Sequence, residues 1–304
     1  MSRFTKIMRR IVRMLDSLVN FIALTLIVVA MLLSGYSLWD ANQVYRAASA
    51  AEYEAYIPEE QDTRSFDELR AINPEVMGWL RVNDTTINYP LVQAPDNSKY
   101  VNTDVEGNYS LSGALFLNCL NKPDFSDFNS VIYGHHMAKN KMFGDIGLFT
   151  DKQYFDEHPY GNLFYDGKDH GIEFFAMLTI DAYDELFFVC NEDLESRQAY
   201  LDRLYSQALF TRDMEVTCQD NIVLLATCTN TMTNGRNILV GRLSDNVYPE
   251  AEKPRNLGTG VDELEKLVDD VPVWVWVILA AVVLLIIVII LLTRKQRKNR
   301  EGRS

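Results

Sequence analysis

Two uninterrupted apolar runs stand near the two ends of the chain, and between them the spacing of hydrophobic positions shifts from helical to strand-like. Leu18–Leu38, LVNFIALTLIVVAMLLSGYSL, holds 21 residues without a charge; Val273–Leu292, VWVWVILAAVVLLIIVIILL, holds 20. At 1.5 Å per residue each run is about 30 Å long, the hydrocarbon thickness of a bilayer, and neither shows the polar stripe of a helix lying on a globular core. Both runs therefore predict transmembrane helices. The small-residue stretch AASAA, Ala47–Ala51, resembles a cleavage site, but it lies well past an apolar run that exceeds the roughly 7–15 residues of a signal-peptide core. An uncleaved anchor is expected.

The region after the first run, Asp40 to Asn73, is rich in Ala, Glu and Tyr without Gly, and reads as helical. Ser65 followed by Glu68 has the spacing of a capping box, which predicts a short helix there. From Gly78 the texture alternates, with Gly, Asn, Asp and Pro between the runs. Strands are predicted in GWLRVNDTTINYPLVQA (a pair split at Asn83-Asp84), Gly113–Asn118, Asn129–Met137, Gly171–Tyr183, Asp213–Gln219, NIVLLATCT and RNILVGRL. Two helices interrupt them. FTDKQYFDEHP stops at Pro159, and Asn191–Phe210 carries an apolar stripe at Leu194, Leu201, Leu204, Tyr205 and Ala208 behind an acidic first turn. About eight strands without βαβ alternation predict a mostly β protein: a closed or nearly closed barrel with peripheral helices.

Charge supplies the orientation. Arg3, Lys6, Arg9, Arg10 and Arg13 precede the first run, and Arg294, Lys295, Arg297, Lys298, Arg300 and Arg303 follow the second. Positively charged flanks stay in the cytoplasm, so both termini are expected inside and residues 40–272 outside. The expected organisation is a basic tail (1–17), a transmembrane helix (18–38), a helical stalk (39–74), a catalytic β-barrel (75–247), an acidic linker (248–271), a second transmembrane helix (272–293) and a basic tail (294–304). The whole chain carries −13, and removing the basic tails leaves the outer part more acidic still. Nucleic acid is disfavoured as a partner.

Cys119, Cys190, Cys218 and Cys228 are widely spread, without a C-x-x-C pair. A disulfide framework or zinc knuckle is not indicated, and the first three read as small buried hydrophobes, with one disulfide among them left open. Cys228 differs. It ends the run NIVLLATC, and Arg236 opens the next, RNILVGRL, after the seven-residue connection TNTMTNG. Two adjacent strands would bring this thiol and this guanidinium to one end of a sheet. Arg242 would share the face of Arg236 but lie about 20 Å further along the strand. A thiolate near neutral pH needs a base or cation beside it. His135 and His136, at the end of SVIYGHH, are the candidates. Neighbours on a strand point to opposite faces, and spacing alone leaves the choice open. His158 and His170 read as solvated surface residues. No H-E-x-x-H helix is present, and no metal or cofactor is called for. The chemistry suggested is acyl transfer: thiolate attack on a carbonyl, protonation of the leaving amine by an imidazolium, and oxyanion stabilisation by the guanidinium.

YGHHM, KMFGDIGLFTDKQYFDEHP, LLATCT and NGRNILVGRL together resemble a sortase of class B, and EVMGWLRVNDTTINYPLVQAPDNSKYVNTDVEGNYSLSGALFLN is similar to the start of a class B catalytic domain. The likeness covers Phe66 to Leu243. It implies the eight-stranded sortase-type β-barrel, with Asn191–Phe210 as the extra helix of class B. It maps the catalytic histidine onto His135, with His136 a bystander, the nucleophile onto Cys228 and the arginine onto Arg236. It also implies the reaction. A sorting signal of the Asn-Pro-x-Thr-x kind in a secreted surface protein is cut after threonine, and the acyl group passes to an amine of a cell-wall precursor or to a pilin lysine. One departure is the second apolar run, which is a habit of class C pilin-polymerising enzymes; the Asp-Pro-aromatic lid motif of that class is missing between Asp40 and Pro90. Cell-wall anchoring is the expectation. A membrane-tethered cysteine hydrolase and a non-catalytic scaffold are the competing readings.

Overall fold

The computed structural model describes residues 3–58, 63–184, 187–189, 193–228 and 235–249. The second apolar run, the acidic stretch before it, the C-terminal tail and Cys190 lie outside the described residues. Helix α1, Arg3–Ala47, contains the first apolar run, and none of its most apolar window is buried. It is the one described helix long and apolar enough to cross a membrane.

The compact unit beginning at Val44 contains a β-barrel. Its strands are β1 (Val76–Val82), β2 (Asn88–Val92), β3 (Leu115–Leu117), β4 (Asn129–Tyr133), β5 (Tyr160–Tyr165), β6 (Lys168–Asp181), β8 (Ile222–Cys228) and β9 (Gly235–Ser244). Hydrogen bonding runs β5-β1-β2-β3-β4-β8-β9-β6, and the β5–β6 pairing closes the ring at eight strands. A ninth, β7 (Ala208–Thr211), adds to β6 from outside the ring. The β2–β3 and β4–β8 pairs are parallel. Parallel neighbours need long crossovers, and these hold most of the irregular structure among the described residues.

Both faces of several strands are covered, which explains apolar runs that do not alternate. Helix α2, Arg64–Ile72, lays Phe66 and Leu69 over β1 and β5, with the Phe66 ring edge-on to Trp79 and Phe164. Helix α4, Leu194–Gln207, buries Tyr200, Leu201 and Leu204 against a cluster that includes Leu224, Ala226, Ile238 and Val240 of β8 and β9. The intervening β8 residues Val223 and Leu225 belong to the cluster inside the barrel, with Trp79 and Leu239. Helix α3 is Lys152–Glu157, capped by the Asp151 carboxylate, which accepts from the Tyr154 amide.

The structure corrects several expectations. Residues 213–219 form no strand; the added strand is β7, because the last predicted turn of α4 is extended from Ala208 onward. β5 went unread, since Gly161 and Asn162 break its apolar pattern although both are buried in the ladder. Ser65 is not a cap: α2 starts at Arg64 with Thr63 before it, placing Ser65 inside the first turn. Leu194 is 56% exposed, so the apolar stripe of α4 begins a turn later than predicted. Cys119 and Cys218 are free thiols and half-buried rather than the buried hydrophobes expected, and Cys218 Sγ donates to Gln198 Oε1 at 3.1 Å.

Beyond β9 the chain folds back along the barrel end opposite Cys228. Asn83 Nδ2 and Asn162 Nδ2 donate to the Tyr248 carbonyl at 2.9 and 2.7 Å, and the Tyr248 ring stacks on Tyr160 at 4.1 Å.

Candidate active site

Cys228 is the last residue of β8 and Arg236 the second of β9, and they are Cα partners in the antiparallel ladder. Opposed residues in such a pair have Cα atoms about 5 Å apart. Arg236 is also level with Ile180 near the end of β6, so the arginine sits between two strands at one rim. It is half-buried, and its Nη1 donates to the Gly235 carbonyl at 3.2 Å. Arg242 lies at the other end of the same hairpin, opposite Ile222. There it is tied to Glu173 through Nε at 3.0 Å and through Nη2, and it donates from Nη1 to the Glu215 carbonyl.

The histidines reach the same rim from the other side of β8. In the parallel β4–β8 ladder Tyr133 is paired with Ala226, and Gly134 N–H donates to the Ala226 carbonyl. The strand ends at Tyr133, four residues short of the predicted Met137, so both histidines follow it rather than lie within it. His135 lies two residues past the Tyr133–Ala226 pair and Cys228 two residues past it on β8, so counted along the chain the two leave the ladder at the same level of one rim. Gly134 allows this. A β-carbon there would stand 2.4 Å from Leu115 Cδ2 and 2.7 Å from Phe143 Cδ2, so any other residue would push the strand end outward.

The two imidazoles have different surroundings. His135 Nε2 lies 2.8 Å from the Val101 carbonyl oxygen. A carbonyl only accepts, so Nε2 carries a proton and Nδ1 is the nitrogen left to exchange one. The Val101 carbonyl is held in turn by a tight passage. Gly113 has φ +59°, and a β-carbon on it would meet the Tyr100 and Val101 carbonyl oxygens at 2.4 and 2.7 Å. His136 turns into the barrel wall, with its ring against Gly147 and close to Asn237, and its buried Nδ1 has no hydrogen-bond partner among the described residues. Val101 escaped the sequence reading because it acts through its backbone. The isolated glycine at the start of GALFLN was the only available signal.

The other two histidines are not the solvated residues expected. His170 is 9% exposed, within β6, stacked on Tyr165 at 3.9 Å. His158 is half-buried against Tyr154, also stacked at 3.9 Å. Neither lies in the strand ladder that carries Cys228. No group of three or more metal-ligating side chains occurs among the described residues.

A closed eight-stranded barrel, with a cysteine and an arginine paired at one rim and a histidine level with them, defines a cysteine transpeptidase of the sortase type. No protein-family model matches the chain. Sortase B of Listeria monocytogenes is 31% identical over 181 residues, 58% of this chain and 72% of the relative. Sortase B of Staphylococcus aureus is 27% identical over 165 residues, 54% and 67% of the two chains. Among solved structures, sortase B from the type II pilus of Streptococcus pneumoniae is 43% identical, with a TM-score of 0.53 and coverage of 60% of this chain and 99% of that one. A Streptococcus pyogenes class B sortase involved in pilus biogenesis is 38% identical at a TM-score of 0.55, covering 59% and 97%. The chain belongs to the class B sortases, and its activity is that of a cysteine transpeptidase.

Proposed function

We propose that the protein is a membrane-anchored sortase, with its barrel on the outer side of the bilayer, in which His135, Cys228 and Arg236 carry the chemistry. The observation behind this reading is the register that makes Cys228 and Arg236 cross-strand partners and brings His135 level with them. The Cys228 thiolate attacks the threonine carbonyl of a sorting signal of the Asn-Pro-x-Thr-x kind. The carbon–nitrogen bond breaks, the departing amine takes a proton from the His135 imidazolium, and a thioester remains. An incoming amine gives a proton back to His135, attacks the thioester and releases the thiolate. Arg236 donates to the oxyanion in both steps. Helix α1 supplies the anchor, and the basic flanks of both apolar runs favour cytoplasmic termini.

The acceptor is an amine, and the comparisons shift the choice. Two pilus-associated class B sortases are 43% and 38% identical to this chain, against 31% and 27% for the Listeria and Staphylococcus relatives. A pilin lysine is favoured over a cell-wall precursor on that ground. The test is to incubate the full chain with sorting peptides and either class of amine, and to weigh the products. Ligation to lysine-containing pilin peptides supports this reading. Ligation to wall-precursor amines alone restores the first expectation, and hydrolysis unaffected by any amine removes the transferase.

A further inference from the structure

The loop from Met137 to Phe143, which follows the histidines, has a backbone that few side chains tolerate. Lys139, Asn140 and Met142 all have positive φ, at 57°, 56° and 53°. Such a run of left-handed residues with β-carbons persists only when its surroundings hold it. The loop closes directly on the active-site residues: the Phe143 amide donates to the His135 carbonyl at 3.0 Å, and Met142 bridges His136.

Part of the hold comes from the barrel, where the Thr86 hydroxyl donates to the Asn140 carbonyl. The rest comes from residues 45–49, where α1 ends. Tyr89, 2% exposed on β2, accepts from the Met142 amide at 3.0 Å and donates its own proton to the Ala48 carbonyl at 2.9 Å. One hydroxyl thus joins the loop to the end of the N-terminal helix, and both of its hydrogen-bonding roles are used. Two outer contacts repeat the connection: Lys141 Nζ donates to Ser49 Oγ at 2.9 Å, and the Lys139 ammonium lies 5.5 Å from the centre of the Tyr45 ring.

We propose that Tyr89, with Tyr45 and Ser49, forms a clasp that positions His135 by fastening its strained loop to the segment adjoining the membrane helix. The clasp makes residues 45–49, which follow the apolar run in sequence, part of the active-site scaffold. This inference rests on His135 being the catalytic histidine, so the experiment scores that assignment separately.

The full chain is studied in detergent or nanodiscs with a sorting peptide and an amine acceptor. Tyr89→Phe keeps the ring and removes the bridging oxygen; Tyr45→Ala/Ser49→Ala loosens the clasp without entering the core. The expected result is a kcat lowered roughly tenfold or more, with KM within about twofold. The imidazole resonance of His135, identified by its loss in His135→Gln, should move or broaden in both variants. Should Tyr89→Phe lose its near-ultraviolet circular dichroism, the double variant decides alone. Unchanged kcat and an unmoved His135 resonance in a folded variant overturn the clasp. Full turnover in His135→Gln instead removes the catalytic assignment, and the resonance still reports whether the clasp positions the ring.

Discussion

Cys228 and Arg236 are direct cross-strand partners, the last ladder pair before the β8–β9 connection. This pairing sets their separation by backbone geometry rather than by the reach of a flexible side chain. Cys228→Ala is expected to abolish turnover. Arg236→Lys is expected to lower kcat about 10²-fold, because an ammonium cannot reproduce a planar donor fork. Arg242→Ala should instead lower the melting temperature, since Arg242 is tied to Glu173 and the Glu215 carbonyl. Steady-state kinetics beside thermal melts separates the two arginines, and a greater kinetic loss in Arg242→Ala would reverse their roles.

His135→Ala and His136→Ala should differ in kind. The first removes the proposed proton carrier and is expected to cost roughly 10²–10⁴-fold in kcat. The second removes a half-buried ring packed against Gly147 and should act through stability, leaving the turnover of folded protein close to the parent's. Equal kinetic losses at equal folded fractions would contradict the assignment.

Gly113→Ala tests the passage that holds the Val101 carbonyl. The added methyl meets two carbonyl oxygens and the backbone has φ +59°, so a cost of about 1–3 kcal/mol is expected. Any Val101 shift also alters the acceptor of His135 Nε2. Chemical unfolding reads the first effect and kcat the second. A variant with parental values in both would show that neither contact matters.

His170 makes stability depend on acid. Burial holds its pKa below the ordinary 6.5, and Lys168 adds to this, against the opposing charges of Asp245, Asp169 and Asp166. As pH falls through 6.5 the unfolded chain takes up a proton that the folded chain resists, so stability is full above that value and declines below it. Melting curves between about pH 7.5 and 5 should show this slope. His170→Phe, which keeps a ring against Tyr165, should flatten it. A slope unchanged in the variant would assign the acid sensitivity to other groups.

The sequence was most legible where one physical demand dominates. The first apolar run is a helix because a long charge-free stretch has few alternatives, and β8 and β9 are strands because their short β-branched runs are covered on both faces. The stretch YGHHM read as the end of the strand Asn129–Met137, whereas β4 stops at Tyr133 and both histidines follow it. β5 and β7 were misread because their residues derive their strand character from neighbours, β1 and β6 for β5 and β6 for β7, not from their own composition.

Residue types and their spacing along the chain determined that a thiol, an imidazole and a guanidinium were available, and that the first and last would flank one hairpin. What only the tertiary structure decided was which groups stand around them. The parallel β4–β8 ladder ends two residues before both His135 and Cys228, the Val101 carbonyl fixes the proton on the His135 ring, and Tyr89 ties its loop to Ala48. These relationships join residues 34 to 93 positions apart through backbone groups and buried hydroxyls. Such contacts leave no periodicity in the sequence, because their partners are chosen by the closure of the barrel.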